Sequence, residues 1–139
     1  VPLLYASPAA QALTPQVIDS ILTTSRKTNP AMGVTGLLCH SDDLFMQVLE
    51  GGRDEVCDLY NTIVRDPRHV HVRLLSYEEI RERRFGSWTM GHVNVKTVNP
   101  ALLLKYSEQA VLNPFDCSGQ ASLALLEELM ATASVIGRC

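Results

Sequence analysis

Four polar side chains stand out against apolar surroundings in this sequence: Tyr5 and Ser7 in VPLLYAS, Asn29 ahead of Pro30, and Gln47 in LFMQVLE. A phenol, a hydroxyl and two carboxamides offer hydrogen-bond donors and acceptors, but no strong base and no activated nucleophile at neutral pH. Such a set suits recognition of the edge of a planar heterocycle better than hydrolysis. Gln47 is the most informative of them. Strand periodicity puts Phe45, Gln47 and Leu49 on one face and Leu44, Met46 and Val48 on the other, so a carboxamide stands in a strand that is otherwise apolar on both sides. Left unpaired in an interior it costs about 1–3 kcal/mol. Gln47 is therefore either tied to backbone or water, or turned toward a bound ligand.

Other chemistries are poorly supplied. Cys39, Cys57, Cys117 and Cys139 form no CxxC pair, and Cys39 and Cys57 read as small, buried or half-buried free thiols. The histidines His40, His69, His71 and His92 include one close pair, whose spacing fits an exposed strand better than a zinc site, so no metal is expected. A hydrolase using Ser7 with a histidine such as His69 is an alternative from the enzyme class. It lacks the nucleophile-elbow glycines, because Ser7 lies in Tyr5-Ala6-Ser7-Pro8.

The elements that must hold these residues can be read in order. Val1 to Ser7 is a first strand in which Tyr5 and Ser7 share a face. Thr14-Pro15 caps and opens a helix whose apolar side runs through Val17, Ile18, Ile21, Leu22 and Ser25 and stops near Asn29, because Pro30 disfavours helical geometry before it. Gly33 to Gly51 is a hairpin turning at Ser41-Asp42-Asp43. A second helix follows, with Val56, Leu59, Tyr60, Ile63 and Val64 on its apolar side and a stop at Asp66-Pro67. Val70 to Ser76 is a fourth strand. Tyr77 to Arg84 mixes charges of both signs and reads as a solvated face. Ser87 to Val95 is a fifth strand in which Trp88 and Met90 share a face.

This β-α-β-β-α-β-β order predicts a ferredoxin-like α+β fold, a mixed five-stranded sheet with two helices on one face joining parallel neighbours. The opposite face is expected to be covered by the rest of the chain: a helical stretch from Pro100 to Ser107, a break at Asn113-Pro114-Phe115, and a helix from Ser118 to Gly137 carrying Leu123, Leu126, Leu129, Met130 and Ala133. The organisation is thus a body over 1–97 and a C-terminal helical extension over 98–139.

Composition bounds the function. The chain has 139 residues, enough for a core of its own, with 46% hydrophobic and 19% charged residues, as in a soluble globular domain. A formal charge of -3 argues against an electrostatically driven nucleic-acid binder. No apolar run approaches the roughly 20 residues of a membrane helix and no leader precedes the first strand, so a cytoplasmic protein with no membrane association is expected.

Over nearly its whole length the chain resembles the BLUF domains, blue-light sensors using FAD. The resemblance is carried by Leu4-Tyr5-Ala6-Ser7, Asn29, Gly33-Val34-Thr35-Gly36, Phe45-Met46-Gln47-Val48-Leu49-Glu50-Gly51, Asp66-Pro67-Arg68-His69 and Arg84-Phe85-Gly86-Ser87-Trp88-Thr89-Met90, in family order and spacing. The tail, with Leu104-Lys105-Tyr106-Ser107 and a final amphipathic helix, resembles the short PixD-type members, which carry no effector domain.

The resemblance implies that the flavin ring of FAD lies between the two helices, lined by Ile21, Ser25 and Ile63. Asn29 would then bond its pyrimidine edge, and Gln47 would stand between the ring and Tyr5, with Ser7 and Phe45 on the same side of the sheet. Thr28 occupies a position where many members carry a larger polar side chain against the ring. Asp66, Arg68 and His69 match a segment near the ring and ribityl chain, and Trp88 and Met90 match a signal relay. The implied activity consumes no substrate and makes the chain no enzyme. Light moves an electron and then a proton from Tyr5, with Gln47 as relay, and leaves the hydrogen bonds of the flavin changed. Output then requires a downstream signalling protein, and self-association into a homo-oligomer is expected. A ferredoxin-like ligand-binding module without photochemistry is the remaining alternative.

Overall fold

The computed structural model describes residues 1–9, 14–41, 44–67, 70–78, 90–94, 100–106, 114–115 and 118–131. Helix α1 (Pro15–Thr28) opens as its first residues dictate, with Thr14 as cap accepting from the Val17 amide at 3.4 Å and Pro15 in the first turn, where a missing N–H costs nothing. It ends at Asn29, whose N–H still donates to the Ser25 carbonyl at 2.9 Å. Pro30 then starts a one-turn 3-10 helix, Pro30–Met32, closed by Gly33 at φ 69, a left-handed conformation that suits glycine. The Asn29 carbonyl accepts from the amides of both Met32 and Val34, each at 3.0 Å, so this residue is clamped between helix and strand.

Five strands form one mixed sheet. They are β1 (Pro2–Pro8), β2 (Thr35–His40), β3 (Leu44–Glu50), β4 (Arg73–Tyr77) and β5 (Gly91–Asn94), in the spatial order β4-β1-β3-β2-β5. Among the described residues, only the β2–β5 pair is parallel. Helix α1 links β1 to β2, and α2 (Arg53–Arg65) links β3 to β4. The strands linked by each helix run parallel but are not neighbours, which corrects the sequence expectation. The β2–β3 hairpin forces β3 against β2, so β3 slots in antiparallel between β1 and β2, and β1 likewise separates β3 from β4.

Strand alternation divides the core in two. Leu3, Tyr5, Leu38, Phe45 and Leu49 pack with Ile18, Ile21 and Leu22 of α1 and Val56 of α2, and Leu59, Tyr60 and Ile63 of α2 border this cluster half-buried. Leu4, Ala6, Leu37, Cys39, Met46 and Val48 face the other way, onto Leu103 of α3 (Pro100–Tyr106) and Leu123, Leu126 and Leu129 of α4 (Gly119–Ala131). Ser118 caps α4, its hydroxyl accepting from the Ala121 amide at 3.0 Å, and Lys105 of α3 reaches Glu128 of α4 at 2.9 Å.

Other expectations shift in detail. Val64 is exposed rather than part of the apolar side of α2, because it lies beyond the stripe formed by Val56, Leu59, Tyr60 and Ile63. Strand β4 begins at Arg73, not Val70, because His71 takes φ 48 and interrupts the extended run. The described part of the fifth strand is Gly91–Asn94. Trp88, most of the charged segment before it, and Gly137 lie outside the described residues.

Candidate functional site

Register places the two central side chains together. Tyr5 of β1 stands directly opposite Gln47 of β3, on the face covered by α1 and α2, and its phenol donates to Gln47 Oε1. Both side chains are buried. The other end of the same amide is used as well, since Gln47 Nε2 donates to the thioether of buried Met90 at 3.2 Å. Gln47 thus joins a phenol at its acceptor end to a sulfur at its donor end. The ring of Tyr60, on α2, packs 5.8 Å from that of Tyr5 at a 58° tilt. Burial raises the Tyr60 phenol above its ordinary range, with Arg73 opposing.

A cleft opens between α1 and α2 above this pair, with about 500 Å³ of space not filled by protein atoms and part of it open to solvent. Its floor is Tyr5, Gln47 and Leu49; α1 contributes Ile21, Thr24, Ser25 and Thr28, with Asn29 at its end; α2 contributes Leu59, Thr62 and Ile63, with Asp66 at its end. Its lining has the character of small-molecule sites, which are mostly apolar with a few convergent polar groups. Three threonine protons are already committed to their own helices, Thr24 to the Ser20 carbonyl at 3.0 Å, Thr28 to that of Thr24 at 2.9 Å and Thr62 to that of Asp58 at 3.1 Å. Those hydroxyls can still accept but have no proton left to give. Asn29 is buried, its carboxamide oxygen lies 3.3 Å from the Thr28 hydroxyl, and among the described residues its Nδ2 has no partner.

The structure therefore brings Tyr5, Ile21, Ser25, Thr28, Asn29, Gln47, Ile63 and Asp66 around one cleft. Ser7 and Phe45 share the face but do not line it. The Ser7 hydroxyl lies 2.6 Å from the Val70 carbonyl and 2.9 Å from that of Pro8, so its one proton is held by backbone at the end of β1. Arg68, His69 and Trp88 lie outside the described residues. Thr24, Leu49, Leu59 and Thr62 line the cleft without having been singled out as site residues. The signal was present in spacing, because 24 and 28, and 62 and 66, are each one helical turn apart and so share a face.

The family pattern described as "BLUF: Sensors of blue-light using FAD" matches residues 1–91. The chain belongs to the BLUF family. Its sequence is 36% identical over 89 residues to the photoactivated adenylate cyclase subunit beta of Euglena gracilis, covering 63% of this chain and 10% of that protein. This BLUF chain thus spans about a tenth of the length of that curated relative. Its fold is similar to that of BlsA in its photo-activated state, with TM-score 0.85 and 30% identity over 96% of both chains. It is also similar to dark-state BlrB, a BLUF protein, with TM-score 0.75 and 32% identity over 94% of this chain and 93% of that one.

FAD is the cofactor of this family of blue-light sensors, and the cleft suits its flavin ring on physical grounds. Leu59 and Ile63 leave apolar surface only half covered by protein, Asn29 lines the cleft with an amide donor, and the threonine oxygens offer acceptors. A planar, mostly apolar ring with polar atoms along one edge complements such a lining. Among the described residues there is no group of three metal-ligating side chains, and no helix is long and apolar enough to cross a membrane.

Proposed function

We propose that Tyr5 and Gln47 are the photoactive pair of this BLUF chain and that the α1–α2 cleft holds the flavin ring. The observation that carries the reading is the buried hydrogen bond from Tyr5 to Gln47 Oε1 at the floor of that cleft. FAD, when bound, supplies the absorption of blue light and the redox change that follows. The chain's part is to hold the Tyr5 proton on Gln47 Oε1 and to keep the amide poised between two arrangements. Asn29 fixes one edge of the ligand with Nδ2, Ile21 and Ile63 cover its faces, and Ser25, Thr28 and Asp66 border it. Ser7 and Phe45 act at one remove, by pinning the end of β1 and packing beneath the site. Arg68 and His69 belong to the same ligand by family analogy, as Trp88 and Met90 belong to the relay.

An amide suits a switch because its two ends are chemically opposite. Reversing it, by rotation or tautomerisation, would turn a donor toward Tyr5 and an acceptor toward Met90. The chain itself is read as a sensor without catalytic activity, organised as residues 1–97 for the flavin and 98–139 as an extension packed on the sheet. Its output is binding to, or release of, a separate cytoplasmic signalling protein, with the chain as a homo-oligomer. That a protein named as a photoactivated adenylate cyclase subunit contains a similar segment supports a role in passing light signals onward. A Gln47→Ala variant tests the reading: it should purify with flavin yet show no reversible red shift under blue light. A normal shift in that variant would remove Gln47 from the switch.

A further inference from the structure

Met90 is held from two sides. Its thioether accepts from Gln47 Nε2, and its backbone carbonyl accepts from Arg26 of α1 through both Nε at 3.2 Å and Nη2 at 3.0 Å. Met90 immediately precedes β5, so these bonds fasten the start of that strand to α1. Arg26 itself is largely exposed, and a hydrogen bond to an exposed guanidinium exchanges readily for water. The same guanidinium acts on the next turn of contacts along β5: His92 is held below the ordinary imidazole range by burial, then by His40 and by Arg26.

We propose that Arg26 is a positioning residue of the switch, holding the Met90 carbonyl so that reversal of the Gln47 amide is passed to β5 as release of the Arg26–Met90 bonds. This rests on the assignment of Gln47 as the switching amide. The argument is one of donor count. With Nε2 toward Met90, a proton lies between nitrogen and sulfur. With the amide rotated, a carbonyl oxygen faces a thioether, neither carries a proton, and the contact turns from attraction to repulsion. Met90 then withdraws, and its carbonyl must either stretch or leave the guanidinium. Because α1 also borders the cleft through Ser25 and Asn29, the latch ties ligand-side helix and output-side strand at one residue.

The test uses flavin-loaded protein whose methionine carbonyls carry carbon-13, followed by light-minus-dark infrared spectroscopy alongside the visible spectrum. In the unmodified protein a labelled carbonyl band should move to higher frequency under blue light as its hydrogen bonds are lost. It is assigned to position 90 by its absence in Met90→Leu, where that carbonyl is unlabelled. In Arg26→Ala the visible red shift should persist, the labelled band should lose its light response, and dark recovery should slow several-fold; Arg26→Lys should restore part of the band. An Arg26→Ala protein with an intact red shift and an unchanged methionine band would overturn the role of Arg26 alone. Absence of any reversible red shift in the unmodified protein would overturn the switching assignment and this proposal with it.

Discussion

Tyr5 and Gln47 are register partners on adjacent antiparallel strands, and the phenol of one donates to the carboxamide of the other in the protein interior. The pairing is thus set by the sheet itself. A one-residue slip between β1 and β3 would send the two side chains to opposite faces, so the register that fills both cores also aligns the pair.

Removing the phenol hydroxyl isolates its effect. Tyr5→Phe keeps the ring against Tyr60 and leaves Gln47 Oε1 without its donor, a loss of about 1–3 kcal/mol for a buried acceptor. The variant should fold and retain flavin, with a lower midpoint in urea and no reversible photocycle. Comparison of its denaturation curve and its light-minus-dark spectrum with those of the unmodified protein checks both halves.

Asn29 is expected to act on affinity. Its backbone already supports the junction of α1 with β2, and alanine preserves those bonds, so Asn29→Ala should remove only the side-chain donor to the ligand. The loss is about 1–2 kcal/mol, or roughly 5- to 30-fold in flavin Kd, measured by titrating apoprotein.

Gly36 has no room for a side chain. A Cβ there would stand 2.0 Å from the Val48 carbonyl oxygen, a backbone atom of the paired strand. Gly36→Ala should therefore cost about 2–4 kcal/mol in denaturant unfolding, through displacement of the hairpin that carries Gln47.

His92 gives a pH dependence of known sign. Burial, then His40 and Arg26, lower its pKa from 6.5, with Asp19 opposing, and among the described residues its buried Nδ1 has no partner. A lowered value means that the folded state prefers the neutral ring. The stability it contributes is present above the unfolded value of 6.5 and is lost as pH falls below it. Thermal melts between neutral and mildly acidic pH should show this slope, and His92→Gln should flatten it.

The two thiols among the described residues should differ in reactivity. Burial pushes Cys39 up to about 12, whereas Cys57 is half-buried on α2. Iodoacetamide at mildly alkaline pH should label Cys57 in the native protein and Cys39 only after denaturation, which peptide mass mapping would distinguish.

Much of this site was legible in the sequence because local rules and tertiary packing agree there. Thr14-Pro15 and Asn29-Pro30 mark the two ends of α1 by capping and steric rules that need no tertiary context. Gln47 stood out because a carboxamide broke an apolar strand. What stayed hidden depended on distant partners. Strand β4 starts late because His71 leaves the extended region, and Ser7 turns to the Val70 carbonyl, a contact 63 residues away in sequence. Nothing in the sequence singled out Arg26 in the last turn of α1, because its partner, the Met90 carbonyl, lies 64 residues away.

The most direct measurement of the central claim is the visible absorption spectrum of the purified protein in darkness and just after blue light. A flavin-loaded Tyr5–Gln47 switch predicts an oxidised-flavin spectrum that moves slightly to the red and returns in the dark. A flavin spectrum that only bleaches, or a protein that binds no flavin, would contradict it.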